Sequence, residues 1–197
     1  MRKQPRQARS RLMVDSLVDA TALTIAEHGL ASATTARIAE TAGISIGSLY
    51  QYFDSKEQLY AALLDRIVGE LMAVVDRRSA ALARQPLREW VRGLLDEVWD
   101  YLEADQGLYL KVLRNWSQLD FMRGIDALEQ KLLGVLSLYA LQQAAVVGQA
   151  DLPARIYILI NSVLFTLVRY ISQPSPLVSR EALVRAFGEM VERELGG

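Results

Sequence analysis

A chain of 197 residues, 51% hydrophobic and 23% charged, has the composition of an ordinary globular protein with material for one or two packed domains. Its 22 Lys and Arg offset 23 Asp and Glu to a net charge of −1, which excludes a generic polyanion binder and leaves any nucleic-acid affinity to local placement of cations. With no cysteine and one histidine there is no disulfide or thiol chemistry and little to hold zinc, so neither a metal nor a cofactor is expected.

Met1 to Arg11 reads as a polar arm carrying Arg2, Lys3, Arg6, Arg9 and Arg11 with no acid among them. It has no apolar core of a secretory signal, and a cytoplasmic protein is expected. Its first six residues read as a solvated tail. Arg9 and Arg11, beside the first helix, are placed for phosphates or a minor groove. From Ser10 to His28, Val14, Leu17, Val18 and Ile25 keep helical spacing until Gly29 stops the run, with His28 suited to the negative end of the helix dipole. Thr34 or Thr35 caps a second helix containing Arg37, Ile38, Ala39 and Ala42, whose small residues allow close helix approach. Thr35 and Arg37 in its first turn are candidates for DNA contact.

The most informative stretch runs from Gly43 to Leu59. Gly43 supplies a left-handed turn, Ser45 caps a short helix, and Ser55 with Gln58 fits a capping box for the next one. Ile44, Leu49 and Phe53 point inward, leaving a slim polar edge outside, as a helix entering a major groove needs. By residue type, Ser45, Ser48, Tyr50 and Lys56 suit phosphates and Gln51 suits bidentate pairing with adenine. Ile46 suits a thymine methyl, Gly47 allows close backbone approach, and Tyr52 fits either packing or phosphate contact. The same residues, Gly43-Ile44-Ser45-Ile46-Gly47, match the pattern of a hydrolase nucleophile elbow. That motif needs a preceding strand and a later His, whereas a helix precedes it here and His28 lies upstream. An enzyme is therefore not expected.

Gly43-Ile44-Ser45, Gly47, Leu49-Tyr50, Phe53 and Lys56-Glu57 before Leu59 resemble the recognition-helix signature of the TetR family of bacterial regulators. The resemblance covers about the first third of the chain. It implies an all-α fold: an N-terminal three-helix helix-turn-helix DNA-binding domain over 1–54, with the basic arm, and a C-terminal helical effector-binding and dimerisation domain over 55–197. It further implies a ligand-responsive repressor that leaves a double-stranded DNA operator when a small-molecule effector binds.

Beyond the head, Ser55 to about Ser79 reads as one long helix with Leu59, Leu63, Ile67, Leu71, Val74 and Val75 on a stripe. Gln85-Pro86 starts another, with Pro at its first position, bearing Val91, Leu94, Leu95, Val98 and Leu102. Asp105 caps a segment with Leu108, Tyr109, Val112 and Leu113, and Ile125 to Tyr139 makes a further stripe. The run Ile156 to Val168 is apolar all round yet too short for a membrane span, so it is expected at a homodimer interface rather than in a membrane. Gln173-Pro174-Ser175-Pro176 ends it. A last helix with Leu183, Phe187, Met190 and Val191 on one face is expected to complete the dimer contact. Aromatic and weakly polar residues in the middle helices, Trp99, Tyr109, Trp116, Phe121, Met122, Asn161 and Phe165, are candidates for an effector pocket lined for a lipophilic molecule. The alternative is a helical dimer that binds DNA or a protein partner without small-molecule control.

Overall fold

The computed structural model describes residues 4–115, 121–142, 151–173 and 177–195. Among them are α1 (Gln4–His28), α2 (Thr35–Thr41), α3 (Ile46–Leu49), α4 (Lys56–Ser79), α5 (Leu87–Leu113), α6 (Met122–Gln142), α7 (Leu152–Ser172) and α8 (Arg180–Leu195), with no strand. The chain forms two compact units, Met1–Ile67 with Ala104–Phe121 and Val68–Glu103 with Met122–Gly197.

In the first unit α1 begins at Gln4 rather than near Ser10. Pro5 sits in the first turn, where its missing N–H costs nothing, and Arg, Gln and Ala that follow favour helix. Arg9 and Arg11 therefore lie on the opening turns of α1, exposed, and not on an arm. Leu17, Val18, Ile25, Ile38, Ala39, Leu49, Phe53, Leu59 and Leu63 are buried. Thr21 and Thr24 are buried with them because each hydroxyl donates one turn back, to Leu17 O and Ala20 O at 2.7 Å. The Thr24 hydroxyl also lies 3.1 Å from that of Thr41, joining α1 to α2.

Local chemistry sets the turns. Gly29 (φ 75) and Gly43 (φ 68) take left-handed conformations that a side chain resists. Thr34, not Thr35, caps α2, its hydroxyl accepting from Arg37 N–H at 3.3 Å. The Tyr60 hydroxyl donates to Ala33 O at 2.5 Å, pinning the α1–α2 connection from α4. At the start of α4 the Ser55 hydroxyl accepts from Gln58 N–H at 3.4 Å, while the Gln58 side-chain oxygen accepts from Asp54 N–H at 2.9 Å. The reciprocal bond of the capping box thus lands one residue earlier than expected.

α5 is interrupted at Ala104–Gly107. Ala104 is extended, and Asp105 (φ 50), Gln106 (φ 61) and Gly107 (φ 73) are successively left-handed before the helix resumes. Asp105 is thus one of a left-handed run and not a simple cap; two non-glycine residues there cost about 1–2 kcal/mol each.

In the second unit Trp90, Leu94, Trp99 and Leu102 of α5 are buried, with Ile125, Leu128 and Leu136 of α6 and Ile156, Leu159, Ile160 and Leu164 of α7. Pro86 stands just before α5, its carbonyl accepting from Glu89 and Trp90 N–H. α6 packs on α7 and α7 on α8. The Trp90 indole donates to Arg78 O at 2.8 Å. By length and composition alone α7 is apolar enough to cross a membrane. One face of it is buried, and the other leaves Tyr157, Ile158 and Phe165 at 52%, 61% and 42% exposure. On α8, Val184, Phe187, Val191 and Leu195 are buried within the chain itself. Phe187 and Val191 are accordingly core residues and not partner contacts, since an amphipathic pattern shows that a face is covered but not by what. Leu183 and Met190 are half-buried. The expected break at Pro174–Pro176 lies outside the described residues.

Candidate nucleic-acid interface

The turn between α2 and α3 is built from its caps. Ser45 is extended (φ −71, ψ 148), and its hydroxyl accepts from Ser48 N–H at 3.1 Å while lying 2.8 Å from the Ser48 hydroxyl. α3 itself is a single turn. Main-chain bonds from Tyr52 and Phe53 to Leu49 O carry the coil on to Asp54. Leu49 and Phe53 anchor this segment inward, and Ile44 is half-buried beside them.

What remains outside is Ser45, Ile46, Gly47, Tyr50, Gln51 and Lys56, all exposed, with Ser48 and Tyr52 half-buried. The Tyr50 and Thr35 hydroxyls lie 3.2 Å apart, so the tyrosine ring is held against the first turn of α2. Nothing but the Ser45 hydroxyl, at 3.9 Å, approaches the space in front of Gly47. Two hydroxyl pairs, Thr35 with Tyr50 and Ser45 with Ser48, thus flank the α2–α3 turn. Arg37 is exposed on the same first turn, and its guanidinium donates to Ser32 O at 3.0 Å. The backbone at the start of α4 and the Ser55 hydroxyl hold the Glu57 carboxyl below its ordinary range, so this acid stays charged beside Lys56. Small hydroxyl donors on a capped turn, a planar Gln amide and nearby cations form a surface suited to phosphates and base edges.

The effector candidates are divided between the two units. Tyr109 is half-buried and Phe121 is buried, both in the first unit. In the second, Trp99 is buried, meets Tyr170 edge-on at 5.9 Å and carries the Arg180 guanidinium 5.7 Å from its ring centre. Its indole N–H has no acceptor among the described residues. Asn161 is half-buried and donates to Tyr157 O at 3.0 Å, while Met122 and Phe165 are exposed. Trp116 lies outside the described residues. A narrow cavity of about 40 Å³ runs between Trp90, Leu94 and Leu95 of α5, Leu136 of α6, Ile160 of α7 and Val191 of α8, and its lining is wholly apolar. None of the sequence candidates lines it. Its leucines read in the sequence as ordinary core, and nothing in their spacing marks a gap. Among the described residues no cluster of His, Asp and Glu is arranged to hold a metal ion.

Residues 17–63 match the family described as "Bacterial regulatory proteins, tetR family". Over 101 residues the chain is 37% identical to the HTH-type transcriptional regulator BetI 1 of Chromohalobacter salexigens, covering 51% of this chain and 50% of that protein. Over 102 residues it is 34% identical to BetI of Paraburkholderia phymatum, covering 52% of each. The match therefore spans about half the length of these relatives. Among solved structures, the fold is similar to the fatty acid degradation regulator FadR of Bacillus halodurans, with a TM-score of 0.68 and 20% identity over 93% of this chain and 98% of that one. It is similar also to SmeT, the repressor of the Stenotrophomonas maltophilia efflux pump SmeDEF, with a TM-score of 0.67 and 20% identity over 93% and 88%. A third is FadR of Bacillus subtilis in complex with stearoyl-CoA, with a TM-score of 0.61 and 20% identity over 93% and 98%. Residues 17–63 thus carry the signature of the TetR family of bacterial regulatory proteins, and along its length the chain is similar in fold to solved regulators.

Proposed function

We propose that this protein is a cytoplasmic transcriptional repressor that binds a palindromic DNA operator as a homodimer and is released by a small, lipophilic effector. The observation that carries the DNA reading is the pair of hydroxyl contacts Thr35–Tyr50 and Ser45–Ser48, with Ser45 and Tyr50 exposed, on a turn anchored by its caps and by buried Leu49. Ser45, Ser48, Tyr50 and Lys56, with Thr35, Arg37, Arg9 and Arg11, take phosphates. Gln51, Ile46 and Gly47 face the bases, and Tyr52 supports the turn. In this reading residues 1–54 are the DNA-binding domain and 55–197 the effector and dimer domain.

The exposed Tyr157, Ile158 and Phe165 on α7 supply an apolar surface for the second copy, and the buried opposite face supports packing within a water-soluble protein. The lipophilic effector is supported by the apolar lining of the cavity and by the stearoyl-CoA bound to one structural neighbour. At about 40 Å³ the cavity must widen to admit such a ligand. The test begins with a duplex selected from random sequence by the purified protein. Binding should fall on Tyr50→Ala and Lys56→Ala for all duplexes, and Gln51→Ala should change base preference. Unchanged binding in all three variants would remove the reading.

A further inference from the structure

Trp90 and Trp99 both stand on α5 in the second unit, and both are buried. The Trp90 indole N–H is satisfied by Arg78 O at 2.8 Å. That of Trp99, a residue only 3% exposed, meets no acceptor among the described residues. A donor held away from water without a partner is destabilising, and few native groups are left so. The apolar cavity lies between the two tryptophans. Trp90, Val91 and Leu95 line it, and Trp99 stands one turn beyond Leu95 on the same face of α5. On α7, Val163 lines the cavity, and Tyr170, which meets the Trp99 ring edge-on, stands two turns further along. The lining is wholly apolar, so the unpaired N–H beyond its end supplies the polar contact that the cavity lacks.

The charges around Trp99 decide which acceptor suits it. The Arg180 guanidinium lies 5.7 Å from the ring centre and donates to Glu103 at 2.7 Å and Asp100 at 3.2 Å, with Asp96 3.8 Å away. Three carboxylates share this one cation. An anionic head group would have to draw Arg180 away from them while meeting their repulsion. A neutral oxygen meets neither cost. We propose that the cavity, widening along α5 toward Trp99, takes a lipophilic molecule with an uncharged hydrogen-bond acceptor, a ketone, ester or amide oxygen, which receives the Trp99 indole N–H. This rests on the lipophilic-effector reading above and names the head group that reading leaves open. The apolar body fills the space between α5, α6 and α7, and the oxygen fixes its direction, as a few placed polar groups do in small-molecule sites. A fatty carboxylate is disfavoured.

The test uses the full-length protein and three probes of similar shape: ethylbenzene with no acceptor, acetophenone with a neutral one and benzoate with a charged one. Small aromatic molecules of this kind enter apolar protein cavities. Titration followed by nitrogen–proton NMR gives each affinity and reports the Trp99 indole signal directly. Acetophenone should move that signal downfield, ethylbenzene should bind without doing so, and benzoate should bind more weakly than acetophenone. In Trp99→Phe the affinity of acetophenone relative to ethylbenzene should fall by roughly three- to tenfold, in line with one neutral hydrogen bond. Equal losses for those two probes, an indole signal unmoved by acetophenone, or benzoate as the tightest binder would overturn the proposal. If none of the three binds, the lipophilic-effector reading falls with it. If all bind while the indole signal stays still, that reading stands and the role of Trp99 alone fails. If Trp99→Phe does not fold, the indole signal of the wild type carries the same decision.

Discussion

The hydroxyls of Thr35 and Tyr50 stand 3.2 Å apart, joining the first turn of α2 to the end of α3 across the helix-turn-helix. Either hydroxyl can donate to the other, and the one that accepts keeps its own O–H to donate to an outside oxygen. Tyr50→Phe keeps the ring and removes that link, and Thr35→Val does the same from the other side. Both should weaken operator binding several-fold without sequence preference. The pair should cost less than the sum, since the two hydroxyls share one interaction. Fluorescence anisotropy on a labelled duplex measures this.

Lys56→Ala tests the cation behind that edge. A lysine that displaces a counterion from a phosphate contributes to the slope of log affinity against log salt, so the variant should flatten the slope by about one per bound lysine. Gln51→Ala should leave the slope unchanged and relax discrimination at one base position by about 1–3 kcal/mol. A salt titration on matched and mismatched duplexes separates the two roles.

Glycines in the second unit offer a contrast in stability. A Cβ on Gly188 of α8 would lie 3.0 Å from the Arg88 main-chain oxygen and 3.0 Å from Arg92 Cγ, against backbone that cannot move aside. Gly188→Ala should therefore lower stability by about 1–3 kcal/mol through overpacking, partly offset by better helix propensity. Gly134, exposed on α6, has open space where its Cβ would stand. Gly134→Ala should raise stability by about 0.5–1 kcal/mol. Calorimetric midpoints moving in opposite directions would bear this out.

Glu97 accepts from Arg77 at 2.8 and 3.0 Å and from Arg78 at 2.9 Å, and these bonds hold its carboxyl below the ordinary value of 4.5. A carboxyl depressed in the folded state contributes stability above its unfolded pKa and loses it as pH falls through the folded one. The acid limb below pH 4.5 should accordingly be shallower in Glu97→Gln than in the wild type. Thermal midpoints taken from neutral pH down to about pH 3 check the difference in slope.

On α7, Ile158 is 61% exposed and Tyr157 52%, so Ile158→Asp and Tyr157→Glu should leave the protomer folded. If this face receives the second copy, both substitutions shift the protein to monomer in sedimentation runs. Operator affinity then falls by orders of magnitude, because a single head makes half the contacts.

The parts legible in the sequence were those fixed by neighbouring residues. Gly43, Ser45 and Ser55 declare turns and caps because their backbone preference and hydroxyl reach are local, the adjacent Thr34 and Thr35 leave two choices for one cap, and Leu49 and Phe53 follow from the one-turn spacing between them. Three features were not legible in this way. The opening of α1 was obscured because its charges suggested an arm, while Pro5 and its helix-favouring neighbours decided the conformation. The face of α8 bearing Phe187 and Val191 is apolar either way, and only packing reveals that its own chain covers it. Arg66 of α4 and the α1 pair Asp15 and Asp19 are ordinary charged positions on separate helices, with no spacing rule to bring them together.

The central claim is that the Tyr50 edge of this head reads duplex DNA, and selection from random sequence followed by quantitative binding tests it most directly. The account predicts enrichment of a palindrome with half-sites about 34 Å apart or a multiple of it, steep weakening with salt, and loss of binding in Tyr50→Ala. Absence of any enriched sequence, or equal affinity of the wild type and Tyr50→Ala for the duplex, would contradict it.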